Sequence, residues 1–279
     1  MVIIGETARA DNFGIYGYIR NTTPLLQKEK NIFLFRDVRS CGTTTLVSVP
    51  CLMTRATREN LKPSKEETSF VSIFKKLGFK TIWVSEQAKF DRLNNGISSI
   101  SNEAEKAVFQ DNNLTLKLRQ FKDYFHNELQ SSNSEKLAVF HMIGSHFPYH
   151  LRYPSEFRHY IPTCAYSNSF YPNECPHDAL INSYDNTIIF TDYFLAGVID
   201  ALREKNAIMV YVSDHGEYLG ERGNFIHGQE TDDAEVRHVP MIWWASDEFI
   251  KLHPEKVRNM RSKLHDKLSH DNIFHSVLD

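Results

Sequence analysis

The feature that most constrains this chain is a series of short apolar runs, rich in β-branched and aromatic residues, separated by stretches with helical spacing. The runs are Val2-Ile4, Ile32-Phe35, Thr81-Val84, Leu137-Ile143, Ala207-Ser213 and Pro240-Trp244; helical periodicity marks Phe70 to Leu77, Leu114 to Leu129, Leu180 to Leu202 and Val257 to Leu268. Unbroken apolar runs suit strands buried on both faces, and strands alternating with helices build a parallel sheet covered on both sides. The expected fold class is α/β, a three-layer α/β/α sandwich around a mostly parallel central sheet. Neither an internal repeat nor a low-complexity tract interrupts it. A single soluble domain over residues 1–279 is expected, with residues 150–176, where Pro, Tyr, Ser and Asn cluster, as an inserted surface loop.

Length and charge narrow the function. A chain of 279 residues buries roughly three quarters of its unfolded surface, so its core needs no metal or disulfide to hold it. The 32 basic and 35 acidic side chains leave a net charge of −3, which lacks the basic field of a general nucleic-acid binder. No stretch has the 18 or so apolar residues of a membrane span, and no signal segment opens the chain. Met1 runs directly into Val2-Ile3-Ile4, so the start is expected to be an internal boundary from which an anchor or signal has been removed.

The four cysteines form two close pairs, Cys41 with Cys51 and Cys164 with Cys175. Their spacing is too wide for a zinc finger. Pairing by proximity gives two short-loop disulfides, each worth about 2–3 kcal/mol, and points to an oxidising compartment, the periplasm in a bacterium. Four reduced thiols in a cytosolic enzyme are the alternative.

In an open parallel sheet, ligands gather beyond the carboxyl ends of the strands. Glu6 follows the first run, His146 follows Leu137-Ile143, and Asp214-His215-Gly216-Glu217 follows Ala207-Ser213. Carboxylates and imidazoles are the donors of a hydrolytic zinc or manganese site. A lone Glu or His in such a place is more often a cap or a structural group; the adjacent Asp214-His215 pair, between a hydrophobic strand and a glycine, is the stronger signal. His227 lies in a glycine-flanked loop that can fold back to the same crevice. The segment Cys41-Gly42-Thr43-Thr44-Thr45 puts hydroxyls on a rigid loop that opens into a helical turn, where a metal could ionise one of them.

Taken together, Gly5-Glu6-Thr7-Ala8-Arg9-Ala10-Asp11-Asn12-Phe13, Ser40-Cys41-Gly42-Thr43-Thr44-Thr45, Ser48-Val49-Pro50-Cys51, Gly144-Ser145-His146, Ser213-Asp214-His215-Gly216-Glu217 and His238-Val239-Pro240-Met241 closely resemble the phosphoethanolamine transferases. These are inner-membrane enzymes whose periplasmic catalytic domain has the alkaline-phosphatase and sulfatase fold. The resemblance implies that Glu6, Thr45, Asp214 and His215 bind zinc and that Thr45 carries the phosphoethanolamine group as a covalent intermediate. It implies that His146 and His227 hold the phosphate or an additional zinc and shuttle protons. Glu217 matches a carboxylate near the substrate head group, Lys89 a phosphate contact, and His238 a motif position read as structural. One tightly bound zinc is implied, with a second left open.

The implied donor is phosphatidylethanolamine. The acceptor is lipid A, a Kdo or core sugar, a glycan or a protein, at the periplasmic face of the inner membrane, reached through an N-terminal membrane segment. The family's membrane-spanning region and its continuation beyond Asp279 are not in this sequence, which fits an excised catalytic domain, and a third cysteine pair of several relatives is missing. Length varies in the family between Cys164 and Cys175, so acceptor choice is not carried over.

Three rivals remain. A sulfatase needs proline two residues after its Cys or Ser nucleophile, and Cys51-Leu52-Met53-Thr54-Arg55 has Met53 there. A phosphodiesterase or phosphoglycerol transferase would share the threonine and zinc. A metal-binding scaffold without activity would have little reason to keep nucleophile, carboxylates and histidines together.

Overall fold

A computed structural model describes residues 1–87, 96–109, 135–166 and 171–279. Its centre is a seven-stranded sheet in the order β2-β10-β7-β1-β6-β4-β5. The strands are β1 (Val2–Gly5), β2 (Ile32–Phe35), β4 (Lys80–Ser85), β5 (Lys106–Phe109), β6 (Lys136–His141), β7 (Ile208–Ser213) and β10 (Met241–Ala245); β8 (Tyr218–Leu219) and β9 (Phe225–Ile226) form a separate antiparallel pair. Every neighbouring pair is parallel except those made by β10, which runs antiparallel to both β7 and β2. Two-residue alternation divides the side chains between two cores. Ile3, Phe140, Tyr211 and Ile242 face one core, while Val2, Ile4, Val139, Val210 and Val212 face the other.

Helices cover both faces. The first core takes Leu180, Tyr184, Ile188, Leu195 and Leu202 from the long α3 (His177–Leu202). The second takes Val49, Leu52 and Met53 of α1 (Thr45–Met53), Phe70 and Val71 of α2 (Phe70–Lys76), Val257 of α4 (Pro254–Ser262) and Ile273 and Phe274 of α5 (Ile273–Leu278). The result is the expected three-layer α/β/α arrangement. Helix α3 also carries buried carboxylates that organise irregular chain. Asp192 accepts the Leu25 and Leu26 amides at 2.9 and 2.8 Å, and Asp185 accepts from Asn12, Tyr18 and Arg20. No helix among the described residues is long and apolar enough to cross a membrane.

Two expectations change. The helical spacing read from Val257 to Leu268 is cut short: α4 ends at Ser262, and Lys267–Ser269 forms β11, parallel to β3 (Asp37–Arg39). Backbone pairing across the fold overrides a local pattern that two apolar residues had extended. Strand β6 stops at His141, two residues before Ile143, because the chain turns there toward Gly144. The helix read over Leu114 to Leu129 lies outside the described residues. Cys41 pairs with Cys51 and Cys164 with Cys175. Short single-turn helices at Tyr149–Leu151, Ser155–Phe157, Cys164–Tyr166 and Pro172–Glu174 occupy much of the 150–176 excursion.

The sheet has two unlike ends. A cavity of about 1000 Å³ lies where β1, β6 and β7 begin, bounded by Val2, Leu137, Ile208, Phe35 and Trp243. It is largely apolar and holds none of the acidic and imidazole groups read from the sequence. Those lie at the opposite end, where close backbone approach requires glycine. Gly144 has φ 44°, and a Cβ there would lie 2.8–2.9 Å from Glu6 backbone atoms. At Gly216 a Cβ would lie 2.3 Å from the Glu235 carbonyl oxygen, while the Gly216 and Glu217 amides donate to Val236 and Glu235. Gly216→Ala is therefore expected to cost about 1–3 kcal/mol in urea unfolding by overpacking; an unchanged midpoint would show that the Glu235 segment yields freely.

Candidate metal centre

Because β1 lies between β6 and β7, the segments that leave these three strands meet. Glu6 follows β1 directly, and Asp214 and His215 follow β7. Thr45 is the first residue of α1, held at the sheet end by the Cys41–Cys51 bridge. The Thr45 hydroxyl lies 3.2 and 3.1 Å from the two Glu6 carboxylate oxygens and 3.4 Å from His215 Nε2. His215 Nε2 lies 3.5 Å from Glu6 Oε1 and 3.4 Å from Asp214 Oδ2. Glu6, Asp214 and His215 are buried, whereas Thr45 is partly open to solvent.

Such a cluster is electrostatically incomplete. Burial, and then the neighbouring Asp214, push the Glu6 carboxyl well above its ordinary range; burial likewise raises Asp214. Asp214 Oδ1 accepts the Thr7 and His215 amides, but the buried Oδ2 has no hydrogen-bond partner. His215 Nδ1–H donates to the Gly216 carbonyl at 2.9 Å, which leaves the Nε2 lone pair facing the carboxylates. Burial holds this imidazole well below its usual pKa, so it is neutral.

Two carboxylates and a neutral imidazole are hard and borderline donors suited to zinc or a similar divalent cation. Glu6, Asp214 and His215 offer ligand atoms within 4.8 Å of one another. The closest spacings, 3.1–3.5 Å with Thr45 included, match the edge of about 3.3 Å for a tetrahedron with bonds of about 2 Å. The residues fit a divalent cation.

A second group adjoins the first: Glu6, His146 and His227 also offer donors within 4.8 Å. The His227 ring lies 4.2 Å from that of His215 and 5.7 Å from that of His146. His146 Nδ1–H donates to the Phe147 carbonyl at 2.6 Å, leaving Nε2 as an acceptor, and burial holds its pKa below the ordinary value. His227 differs. Burial opposes its charged form, but the hydrogen bond and charge of Glu217 outweigh that and raise its pKa. Two β-branched residues beside this centre occupy the left-handed region, Thr7 at φ 54° and Ile226 at φ 57°, so the backbone next to Glu6 and His227 is strained.

Of the other residues singled out in the sequence, Glu217 is wholly buried, with Oε1 3.4 Å from His227 Nδ1. It addresses the imidazole from beneath. His238 stands apart, with Nδ1 3.1 Å from Asp11 Oδ1 and Nε2 3.0 Å from the Arg36 carbonyl. Lys89 lies outside the described residues. Not singled out from the sequence are Gln87, which donates to Glu6 Oε2 at 2.8 Å, and Arg152, which donates to the His146 and Phe147 carbonyls at 2.6 and 2.9 Å. The strand-end rule, applied to β4, would have found Gln87. Arg152 carries no local signal.

The family model for Sulfatase matches residues 1–279. The Kdo(2)-lipid A phosphoethanolamine 7''-transferase of Salmonella typhimurium is 35% identical over 255 residues, covering 89% of this chain and 44% of its own length. The phosphatidylethanolamine transferase Mcr-1 of Escherichia coli is 34% identical over 266 residues, covering 87% and 47%. The chain thus spans about half the length of the curated relatives it matches. Among solved structures, the C-terminal periplasmic domain of phosphoethanolamine transferase EptC from Campylobacter jejuni superposes with a TM-score of 0.86 at 32% identity, covering 99% of this chain and 86% of that one. With a family model matched from end to end and a domain of this kind matched in both sequence and fold, the chain belongs to the sulfatase family and, within it, to the phosphoethanolamine transferases.

Proposed function

We propose that this chain is the catalytic domain of an enzyme that moves phosphoethanolamine from phosphatidylethanolamine to a cell-envelope acceptor, lipid A foremost, with Thr45 as the nucleophile. The observation that carries this reading is the Thr45 hydroxyl, partly open to solvent and within 3.5 Å of both the Glu6 carboxylate and the His215 Nε2 lone pair. The names of the Salmonella and Escherichia coli relatives supply the acceptor and donor classes. The two disulfides suit an oxidising compartment such as the periplasm.

Glu6, Asp214, His215 and Thr45 would hold a zinc ion. When bound, it would lower the pKa of the Thr45 hydroxyl and neutralise charge on the phosphate. The chain's own residues account for the rest. Thr45 Oγ1, its proton lost to solvent when the hydroxyl ionises, forms a bond to phosphorus as the bond to the diacylglycerol oxygen breaks, giving phosphoethanolamine esterified to Thr45. His227, whose raised pKa favours the protonated form, gives its Nε2 proton to the departing alkoxide; Glu217 holds Nδ1–H on the far side of the ring. In the second half the acceptor oxygen takes the phosphoryl group, its proton returns to His227, and Thr45 is freed. His146 Nε2 faces the same space as an acceptor, fit to take up the second cation or to orient the ethanolamine ammonium. Positioning and charge neutralisation account for most of catalysis in phosphoryl transfer.

A sulfatase reading is disfavoured because Cys51 is bonded to Cys41 and is not available as a nucleophile. In the full-length protein with phosphatidylethanolamine labelled in its ethanolamine, peptide mass spectrometry is expected to find phosphoethanolamine on Thr45. Thr45→Ala is expected to lower transfer on the order of a thousand-fold or more with the fold retained. Glycerol phosphate on Thr45 would replace the donor assignment, and near-native transfer by Thr45→Ala would remove the nucleophile.

Chelation should abolish transfer and added Zn²⁺ restore it. In metal-free protein, Glu6→Gln removes one of two mutually repelling buried carboxylates, so it is expected to raise stability by about 1 kcal/mol while weakening Zn²⁺ binding. A destabilised metal-free variant with unchanged Zn²⁺ affinity would refute the assignment of Glu6 as a ligand.

A further inference from the structure

His270 lies far along the sequence from every group in the centre. It is fully buried in a single turn, His270–Asn272, whose N-cap Ser269 forms a capping box with Asn272. Its ring bridges two segments. The Cys41 amide donates to Nδ1 at 3.2 Å, and Nε2 lies 3.0 Å from the Ser213 carbonyl oxygen. A backbone amide can only donate and a carbonyl can only accept, so the two partners require one tautomer, with the proton on Nε2.

The bridged segments are the two halves of the centre. Cys41 opens the loop that leads to Thr45, and Ser213 is the last residue of β7 before Asp214-His215. Other contacts stiffen the Cys41 loop: the bond to Cys51, the Ser48 hydroxyl accepting the Gly42 amide, and buried Arg237 donating to the Ser40 and Cys41 carbonyls at 3.2 and 2.7 Å. Arg237 comes from the Ala234–Arg237 turn and ties the loop to that turn, to the Thr231 carbonyl and to Glu230. His270 connects the loop to the strand end directly. Across the gap that the ring bridges, Thr45 Oγ1 lies 3.4 Å from His215 Nε2.

We propose that His270 is a positioning residue, whose imidazole sets the distance between the Thr45 loop and the Asp214-His215 strand end and thereby the donor spacing of the metal centre. The proposal rests on reading that centre as a zinc site. Partners that orient metal ligands typically alter affinity 10–100-fold when removed. The ring reaches no substrate, so its loss is felt through Thr45 and His215.

The test uses the full-length protein and Zn²⁺ alone as probe, with dissociation constants from chelator competition and His215→Ala as the control that identifies the site. His270→Phe keeps the volume and loses both bonds. It is expected to weaken Zn²⁺ binding about 10–100-fold, to speed hydrogen exchange at the Cys41 amide, and to lower kcat with little change in KM. His270→Asn offers an oxygen to Cys41 but cannot also reach Ser213, and is expected to lose Zn²⁺ affinity only several-fold. If His270→Phe does not fold, His270→Asn decides. Wild-type Zn²⁺ affinity in either folded variant overturns the proposal. Weakened Zn²⁺ binding without any phosphoethanolamine transfer by the wild-type protein would uphold His270 and refute the transferase reading.

Discussion

Two carboxylates, Glu6 and Asp214, are held out of water on adjacent strand ends, and the rest of the centre is arranged around that unfavourable contact. An unpaired ionised carboxylate in a protein interior costs several kcal/mol. The chain offsets part of this with the Thr7 and His215 amides on Asp214 and with Gln87 and the Thr45 hydroxyl on Glu6. One Asp214 oxygen stays unsatisfied, and the nearest ring nitrogen presents a lone pair. The arrangement is costly as protein alone and favourable around a cation, which is the sign of stability given up for binding.

The scaffold can bear that cost because its two apolar cores are kept apart from the site. Residues of β1 contribute to both cores and its two edges pair with β6 and β7, so the strand that leads into Glu6 is held on every side. Beyond the strand ends the chain is irregular, and covalent and polar ties replace hydrophobic packing. Cys41–Cys51 braces the Thr45 loop, Arg152 fixes the carbonyls beside His146, and Tyr184 on α3 accepts the Arg9 amide while donating to the Thr7 carbonyl. Strain at Thr7 and Ile226 persists because these ties determine the backbone around them.

Six of the seven strands of the central sheet were legible because each carries an uninterrupted apolar run, whereas β5, a four-residue strand that opens with Lys106, was not. The strand-end rule drew attention to Glu6, His146, Asp214 and His215, each of them ambiguous alone, and the family resemblance supplied their expected roles. The threonine was less so: three adjacent threonines look alike in sequence, and only the entry geometry of α1 turns Thr45 toward Glu6 while Thr44 occupies the N-cap position without a side-chain bond to the helix. The segment after Ser262 misled, since the partner of Lys267–Ser269 lies more than two hundred residues away at Asp37–Arg39. Glu217 illustrates another kind of limit. The resemblance gives it a place near the substrate head group, and its position in the chain does not reveal that the turn at Gly216 holds it buried against His227.

Sequence by itself determined the layering and the proximity pairing of the cysteines, and it marked the acidic and imidazole groups at the strand ends as candidates, because each follows from local composition or from spacing along the chain. Tertiary structure alone decided which atoms of those donors converge, which tautomer His215 and His270 hold, and which distant residues, Gln87, Arg152 and His270, brace them. Those properties depend on distances between segments that are unrelated in sequence, and a difference of a few tenths of an ångström in the separation of buried polar atoms is set by the packing of the whole sheet.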